Sequence, residues 1–304
     1  MPRNGHNLVT STTSFKFSRQ WLFFCVWVGL SLCLFLKPVI TVIQLALGDD
    51  TYSHIVLVPL ISAWVLYAER NQSEASVRPS IWPGLGILIV ALVIAFFALF
   101  CNSCAPRNLL TLYVSSLVCL VVAGFSVAFG WGKTKASAFA LAMLLFTIPI
   151  PDFVLGKIIF WLQAGSATIA EFFFNVSGAP VLRDGFVFRL PKISIEVAQE
   201  CSGIRSSLAL LILALLVAHF SFQRFWKKSV FVLAGLCMML IKNGIRIASL
   251  TLLANYVDPG FLYGSLHHKG GIVFFLIGLG LLYPVFWWLR RDEISKPAAA
   301  VVAN

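Results

Sequence analysis

Three residue types in this chain have the makings of a site acting on a carbonyl. Cys201 stands in "QECSGIRSS", a polar run that stops at the apolar stretch "LALLILALLVAHF". Arg246 stands in "IKNGIRIAS", and His267 and His268 are side by side in "SLHHKGG". A free thiol, with a pKa of about 8.5, is mostly protonated at neutral pH, and a nearby cation or the positive start of a helix lowers that value. Cys201 is positioned to open a helix, with Arg246 as the cation. A histidine would take the thiol's proton and later return one to a leaving amine. Arginine, permanently charged, would hold the thiolate or a developing oxyanion. Together these parts suit cleavage of a peptide through a thioester. Singly, each has an ordinary reading: a packed interfacial thiol, an arginine reaching for the membrane interface, polar loop histidines. Glu200, Arg205 and Asn243 flank the set as supporting or alternative partners.

The elements that carry these residues are membrane spans. The 304 residues are 59% hydrophobic and 12% charged, with a mean hydropathy of +0.90. Soluble domains carry about a quarter charged residues. A bilayer crossing takes roughly 20 apolar residues. The sequence predicts an all-α polytopic membrane protein with about eight transmembrane helices, over 20–46, 53–68, 84–101, 109–130, 137–150, 203–222, 229–250 and 271–289. Lys37-Pro38 interrupts the first, which implies a kink. The net charge of +11 does not point to nucleic acid, because the basic residues are spread between apolar segments as orientation signals. No signal peptide is expected, since the first apolar block is too long and lacks an A-x-A-like exit. With the N-terminus inside, the short inner loops hold Arg70, Arg78, Lys133, Lys135, Arg224, Lys227 and Lys228, and the outer segments hold fewer cations. The positive-inside rule then places both termini in the cytoplasm.

Residues 153–176 are apolar enough to suggest a ninth span. Crossing there would send "QRFWKK" and "RRDE" outside and leave Lys157, Gln163 and Glu171 in or near hydrocarbon. The segment is therefore read as a helix lying on, or dipping into, the outer face. After it, Asp184-Gly185 between β-rich runs signals a hairpin, and "ISIEV" alternates with period two. A small extracytoplasmic β element thus leads into Cys201. Arg246 lies roughly 26 Å along the seventh span at 1.5 Å per residue, near the outer boundary. The two histidines precede the eighth span on that same side, so the set converges at one depth. Of seven cysteines, Cys25, Cys33, Cys119 and Cys237 lie in apolar blocks, where cysteine packs as a small hydrophobe. Cys101 and Cys104 form a C-x-x-C, either a redox pair or a local disulfide; without a thioredoxin-like βαβ context the ordinary reading is favoured. The predicted organisation is one integral-membrane domain, 1–291, with a disordered cytoplasmic tail, 292–304.

The series "ECSGIRSS", "NGIRI" and "LHHKGGIVFF" resembles the exosortase/archaeosortase family of polytopic transpeptidases. "YSHIVLVPLISAWVLY" is similar to the family's second-span motif, and "IPIPDFVLGKIIFWLQ" to its central segment. The resemblance implies Cys201 as nucleophile, with Arg246 and a histidine as partners. In the family a glycine commonly follows that histidine four residues on, and then a phenylalanine. His267, with Gly271 and Phe274, fits this better than His268. The resemblance also implies exported substrate proteins bearing a C-terminal sorting signal: a short motif (typically Pro-Glu-Pro in bacteria), a transmembrane helix and a basic cluster. These would be cut at the outer face of the cell inner membrane and passed to an acceptor nucleophile, with no cofactor, no metal and no nucleic acid. The spans would form a lateral groove for the substrate's helix. Two other classes remain open: a transporter with Lys242 and Arg246 on one helix face, and a non-catalytic assembly subunit. A zinc site from Cys201 and the histidines lacks a fourth ligand.

Overall fold

The computed structural model describes residues 19–70, 81–101, 103–262 and 271–294, with the backbone alone for Glu200, Cys201, Leu262 and 292–294. Helices α1 (Arg19–Leu34) and α2 (Leu36–Gly48) are bent by 80° at Phe35. Lys37-Pro38 then falls in the first turn of α2, where a missing N–H costs nothing. A 3-10 turn (Asp50–Tyr52) leads into α3 (His54–Ala68), and α4 (Trp82–Phe100) follows. Helix α5 (Pro106–Ala136) breaks at Gly130, whose φ of 79° favours glycine. Next come α6 (Ala138–Met143), a 3-10 turn (Leu144–Thr147) and α7 (Asp152–Val176). Three short strands, β1 (Leu182–Asp184), β2 (Val187–Arg189) and β3 (Ser194–Glu196), precede a 3-10 turn (Gln199–Ser202) and α8 (Ile204–Ser221). Helices α9 (Phe225–Tyr256) and α10 (Gly271–Ile294) complete the order. Among the described residues, seven helices are long and apolar enough to cross a membrane, or eight if the bent pair counts as one span. The protein is an all-α, multi-pass membrane protein with a small antiparallel sheet.

One expectation needs correction. The fifth span is not one helix: α6 has six residues, and the chain continues through a 3-10 turn into "PIP". Pro149 and Pro151 supply no amide donor and push the residues before them into extended backbone. The final helix ends at Ile294, and residues 295–304 of the expected tail lie outside the described residues.

The chain forms two compact units. The first comprises Met1–Ile40, Ser62–Ser103 and Leu112–Leu145. Its core joins Phe24, Phe125, Phe129 and Leu141, with edge-to-face rings such as Phe24–Phe125 at 5.4 Å. Side-chain donors clip its helices to one another's carbonyls: Trp27 Nε1 to Leu120 O at 2.9 Å, Ser62 Oγ to Ala140 O at 2.7 Å, Ser116 Oγ to Ala91 O at 2.8 Å. Away from water a buried hydroxyl or indole N–H is costly without such a partner.

The second unit comprises Thr41–Ile61, Cys104–Thr111 and Phe146–Asn304. In it the starts of four helices meet. Arg107 pairs with Asp152 at 2.7 Å, Asn108 Oδ1 accepts from Asp152 N at 3.1 Å, and Tyr52 OH donates to Ile150 O at 3.4 Å. Arg205 pairs with Asp50 at 2.6 Å. The starts of α3, α5, α7 and α8 thus form one rim. Helix α7 is long and apolar enough to cross, yet Ser166, about 21 Å from its start at 1.5 Å per residue, is bonded to Asn243, which also holds the turn opening α8. Beyond its start α7 packs along α9, with Gly165 beside Leu240 and Ile169 beside Gly244. The sheet, in order β1-β2-β3, packs on the far half of α7. The Asp184-Gly185 hairpin is present, with Asp184 opposite Val187 and Gly185 at φ 61°. Phe188 is fully buried, its ring 5.2 Å from that of Phe174.

Candidate active site

Cys201 sits between two anchored elements. Upstream, Val197 is 1% exposed; its N–H donates to Phe186 O at 2.9 Å, and its carbonyl accepts from Gln163 Nε2 on α7. Downstream lies Gly203, with φ 71°, and then α8. The 3-10 turn carrying Glu200 and Cys201 is strung between these points. Gly203 is required twice over. Its backbone is left-handed, and a Cβ there would stand 2.7 Å from Asn243 Oδ1.

Helix α9 brings the cations. Asn243, 2% exposed, donates to Ser166 Oγ at 3.0 Å and to Ser202 O at 3.2 Å, which fastens the residue after Cys201 to both α7 and α9. Lys242, also 2% exposed, donates to Ser206 Oγ, and Ser206 donates onward to Gly203 O at 3.1 Å. Adjacent α9 residues therefore hold the two carbonyls that follow the cysteine. Arg246 is half-buried, about 4.5 Å farther along the helix axis than Asn243. Close approach of α7 to α9 is allowed by Gly244, where a Cβ would meet Ile169 Cγ2 at 2.5 Å.

Of the sequence-predicted residues, Cys201 lies in the 3-10 turn and Asn243 and Arg246 lie on α9, and the Asn243 clamp joins these two elements. Arg205 instead points along the rim in its exposed pair with Asp50. His267 and His268 lie outside the described residues, and α10 begins at Gly271 just after them. Gly271, Ile272 and Phe275 line an apolar groove of about 710 Å³ with α3 and α8, and Ser53, His54, Arg205 and Ser206 form its polar mouth. Among the described residues no group of three His, Cys, Asp or Glu side chains is arranged to hold a metal.

Sequence reasoning missed Gln163, Ser166, Ser202 and Ser206. The available signal was polar residues in apolar helices: Gln163 and Glu171 stood out as unsuited to hydrocarbon, and Glu171 pairs with Arg183 at 2.7 Å. Among the described residues, Ser202 Oγ, next to Cys201, and Ser207 Oγ, in the first turn of α8, are buried with no hydrogen-bond partner.

The family model described as transmembrane exosortase matches residues 44–284, most of the chain. No curated protein and no solved structure matches it. The match takes in the Cys201 turn, the Asn243 clamp, Arg246 and the groove helices, and the chain belongs to the transmembrane exosortase family.

Proposed function

We propose that the protein is a membrane-embedded cysteine transpeptidase that cuts C-terminal sorting signals from exported proteins and transfers them to an acceptor nucleophile. The observation that carries this reading is the clamp. Asn243 holds the Cys201 turn against α9, within a helical turn of Arg246 and beside the mouth of an apolar groove. The substrate's transmembrane helix occupies the α3–α8–α10 groove, with its recognition motif at the rim. The Cys201 thiolate attacks the scissile carbonyl, Arg246 stabilises the oxyanion, and His267 gives a proton to the departing amine. The acceptor's nucleophile then attacks the thioester and frees the thiol. His268, with Glu200, is the alternative or supporting partner. No cofactor takes part in these steps.

The rim faces the extracytoplasmic side of the inner membrane, with both termini in the cytoplasm. Two features support that orientation. The short inner loops are the basic ones. Cys101 and Cys104, in the outer loop between α4 and α5, are disulfide-bonded, as an oxidising compartment favours. A transporter would gather its polar residues near the midplane rather than at one rim. In the test, Cys201→Ala should insert normally while full-length substrate accumulates in the membrane. Normal processing by a well-expressed Cys201→Ala protein overturns the assignment. His267→Ala should be as damaging and His268→Ala milder; the reverse order would make His268 the partner.

A further inference from the structure

We infer that the free edge of β3 is a docking strand for the extended peptide segment that leads to the scissile bond. The inference rests on the transpeptidase reading and specifies how the substrate is held. In the order β1-β2-β3, β3 has a neighbour on one side. Leu190 N–H donates to Ile193 O at 2.8 Å and Val197 N–H to Phe186 O at 2.9 Å. Phe188 lies opposite Ile195. Because bonded and non-bonded pairs alternate along an antiparallel ladder, Phe188 and Ile195 are also a bonded pair. Ser194 and Glu196, on either side of Ile195, therefore aim their N–H and C=O groups away from β2. Both residues are exposed, and among the described residues the one bond to these groups is Ala198 N–H donating to Glu196 O at 3.0 Å.

An exposed strand edge of this kind recruits an extended peptide through its backbone, with alternate side chains left to carry specificity. The occupant follows from where the strand leads. Glu196 ends β3 and Cys201 comes five residues later, after the buried anchor Val197. Arg205 and Ser206 then open the groove. Strand edge, nucleophile turn and groove form one continuous path, and a peptide that is extended ahead of its helix fits all three when it runs parallel to β3. Only two outward positions are on offer, so alternate peptide residues pair and those between them need no N–H.

Proline at position 196 removes an outward N–H without breaking a bond to β2, and edge strands accept proline in that setting. Glu196→Ala removes the side chain and keeps the N–H. The protein is studied full-length in nanodiscs with a synthetic probe: Pro-Glu-Pro, about 20 apolar residues and an arginine cluster. Glu196→Pro should raise KM about tenfold over that of Glu196→Ala, the scale of one lost hydrogen bond, with the same melting temperature in both variants. Equal KM values for the two variants overturn the inference. A second measurement holds even if Glu196→Pro folds poorly. In Cys201→Ala protein, adding the probe should slow hydrogen exchange at the Ser194 and Glu196 amides and leave Leu182 on β1 unchanged. Cleavage by the wild type without that protection sinks the docking strand and leaves the transpeptidase reading standing. Neither cleavage nor protection sinks both.

Discussion

Gly203→Ala tests the geometry of the site most directly. Its φ of 71° is a left-handed conformation that costs an L-residue about 1–2 kcal/mol. The added Cβ would also stand 2.7 Å from Asn243 Oδ1 and 3.0 Å from its Cγ. Asn243 is 2% exposed and bonded to both Ser166 and Ser202, so it yields only by giving up those bonds. Each is worth about 0.5–1.5 kcal/mol, which brings the total to about 2–5 kcal/mol. Denaturant unfolding in mixed micelles reads the stability. A turn displaced by about 1 Å should also slow processing about 100-fold. The decisive comparison is a double-mutant cycle. With Asn243→Ala already in place the collision is gone, and Gly203→Ala should cost only the backbone strain, about 1–2 kcal/mol. An equal cost in both backgrounds, or wild-type stability for Gly203→Ala, would refute the clamp.

Three further outcomes are expected. Arg246→Lys keeps the charge and loses the planar fork, so equally expressed Arg246→Lys and Arg246→Ala should both lose about 100- to 1000-fold in processing rate; substantial activity in the lysine variant would reduce Arg246 to a source of potential. Phe188→Ala should destabilise the rim by about 3–5 kcal/mol, because the ring is fully buried against Phe174; a loss below 1 kcal/mol, on the order of a surface change, would mean the sheet is not packed on α7. A membrane-impermeant maleimide, mapped by mass spectrometry, should label Cys201 faster than the thiol of Trp226→Cys, and Cys101 and Cys104 only after reduction; the opposite order would reverse the orientation of the distal half.

The helices were legible because hydrocarbon demands long apolar runs with every backbone group bonded internally. The predicted sixth span, 203–222, is α8 at Ile204–Ser221. The fifth was illegible for the opposite reason: apolar character continues through "FTIPIP", while the prolines that end the helix carry no hydropathy penalty. The hairpin was written in Asp184-Gly185, and the third strand in an alternating run. At the site, Cys201 and Arg246 stood out by type and Asn243 as a neighbour, but the Lys242–Ser206 link depends on how two helices face each other. Serine at 206 and lysine at 242 have no local signature of meeting. Gln163 and Glu171, read as unsuited to hydrocarbon, are bonded to the Val197 carbonyl and to Arg183.

The groove between α3, α8 and α10 has a thermodynamic consequence for the choice of substrate. Leu57 and Ile272 on its lips are exposed, and in a bilayer their solvent is acyl chain. A helix that moves into the groove exchanges one hydrocarbon neighbour for another and takes no apolar surface out of water, so the hydrophobic effect contributes nothing to the exchange. Lipid is thus a competitor at the same concentration everywhere, and the groove sorts helices by shape alone. Under the proposed function, discrimination beyond shape comes from the few polar and backbone contacts at the rim, where water is the alternative partner. Detergents with single flexible tails would fill the groove more readily than two-chain lipids, and turnover measured in micelles should fall as the detergent-to-protein ratio rises.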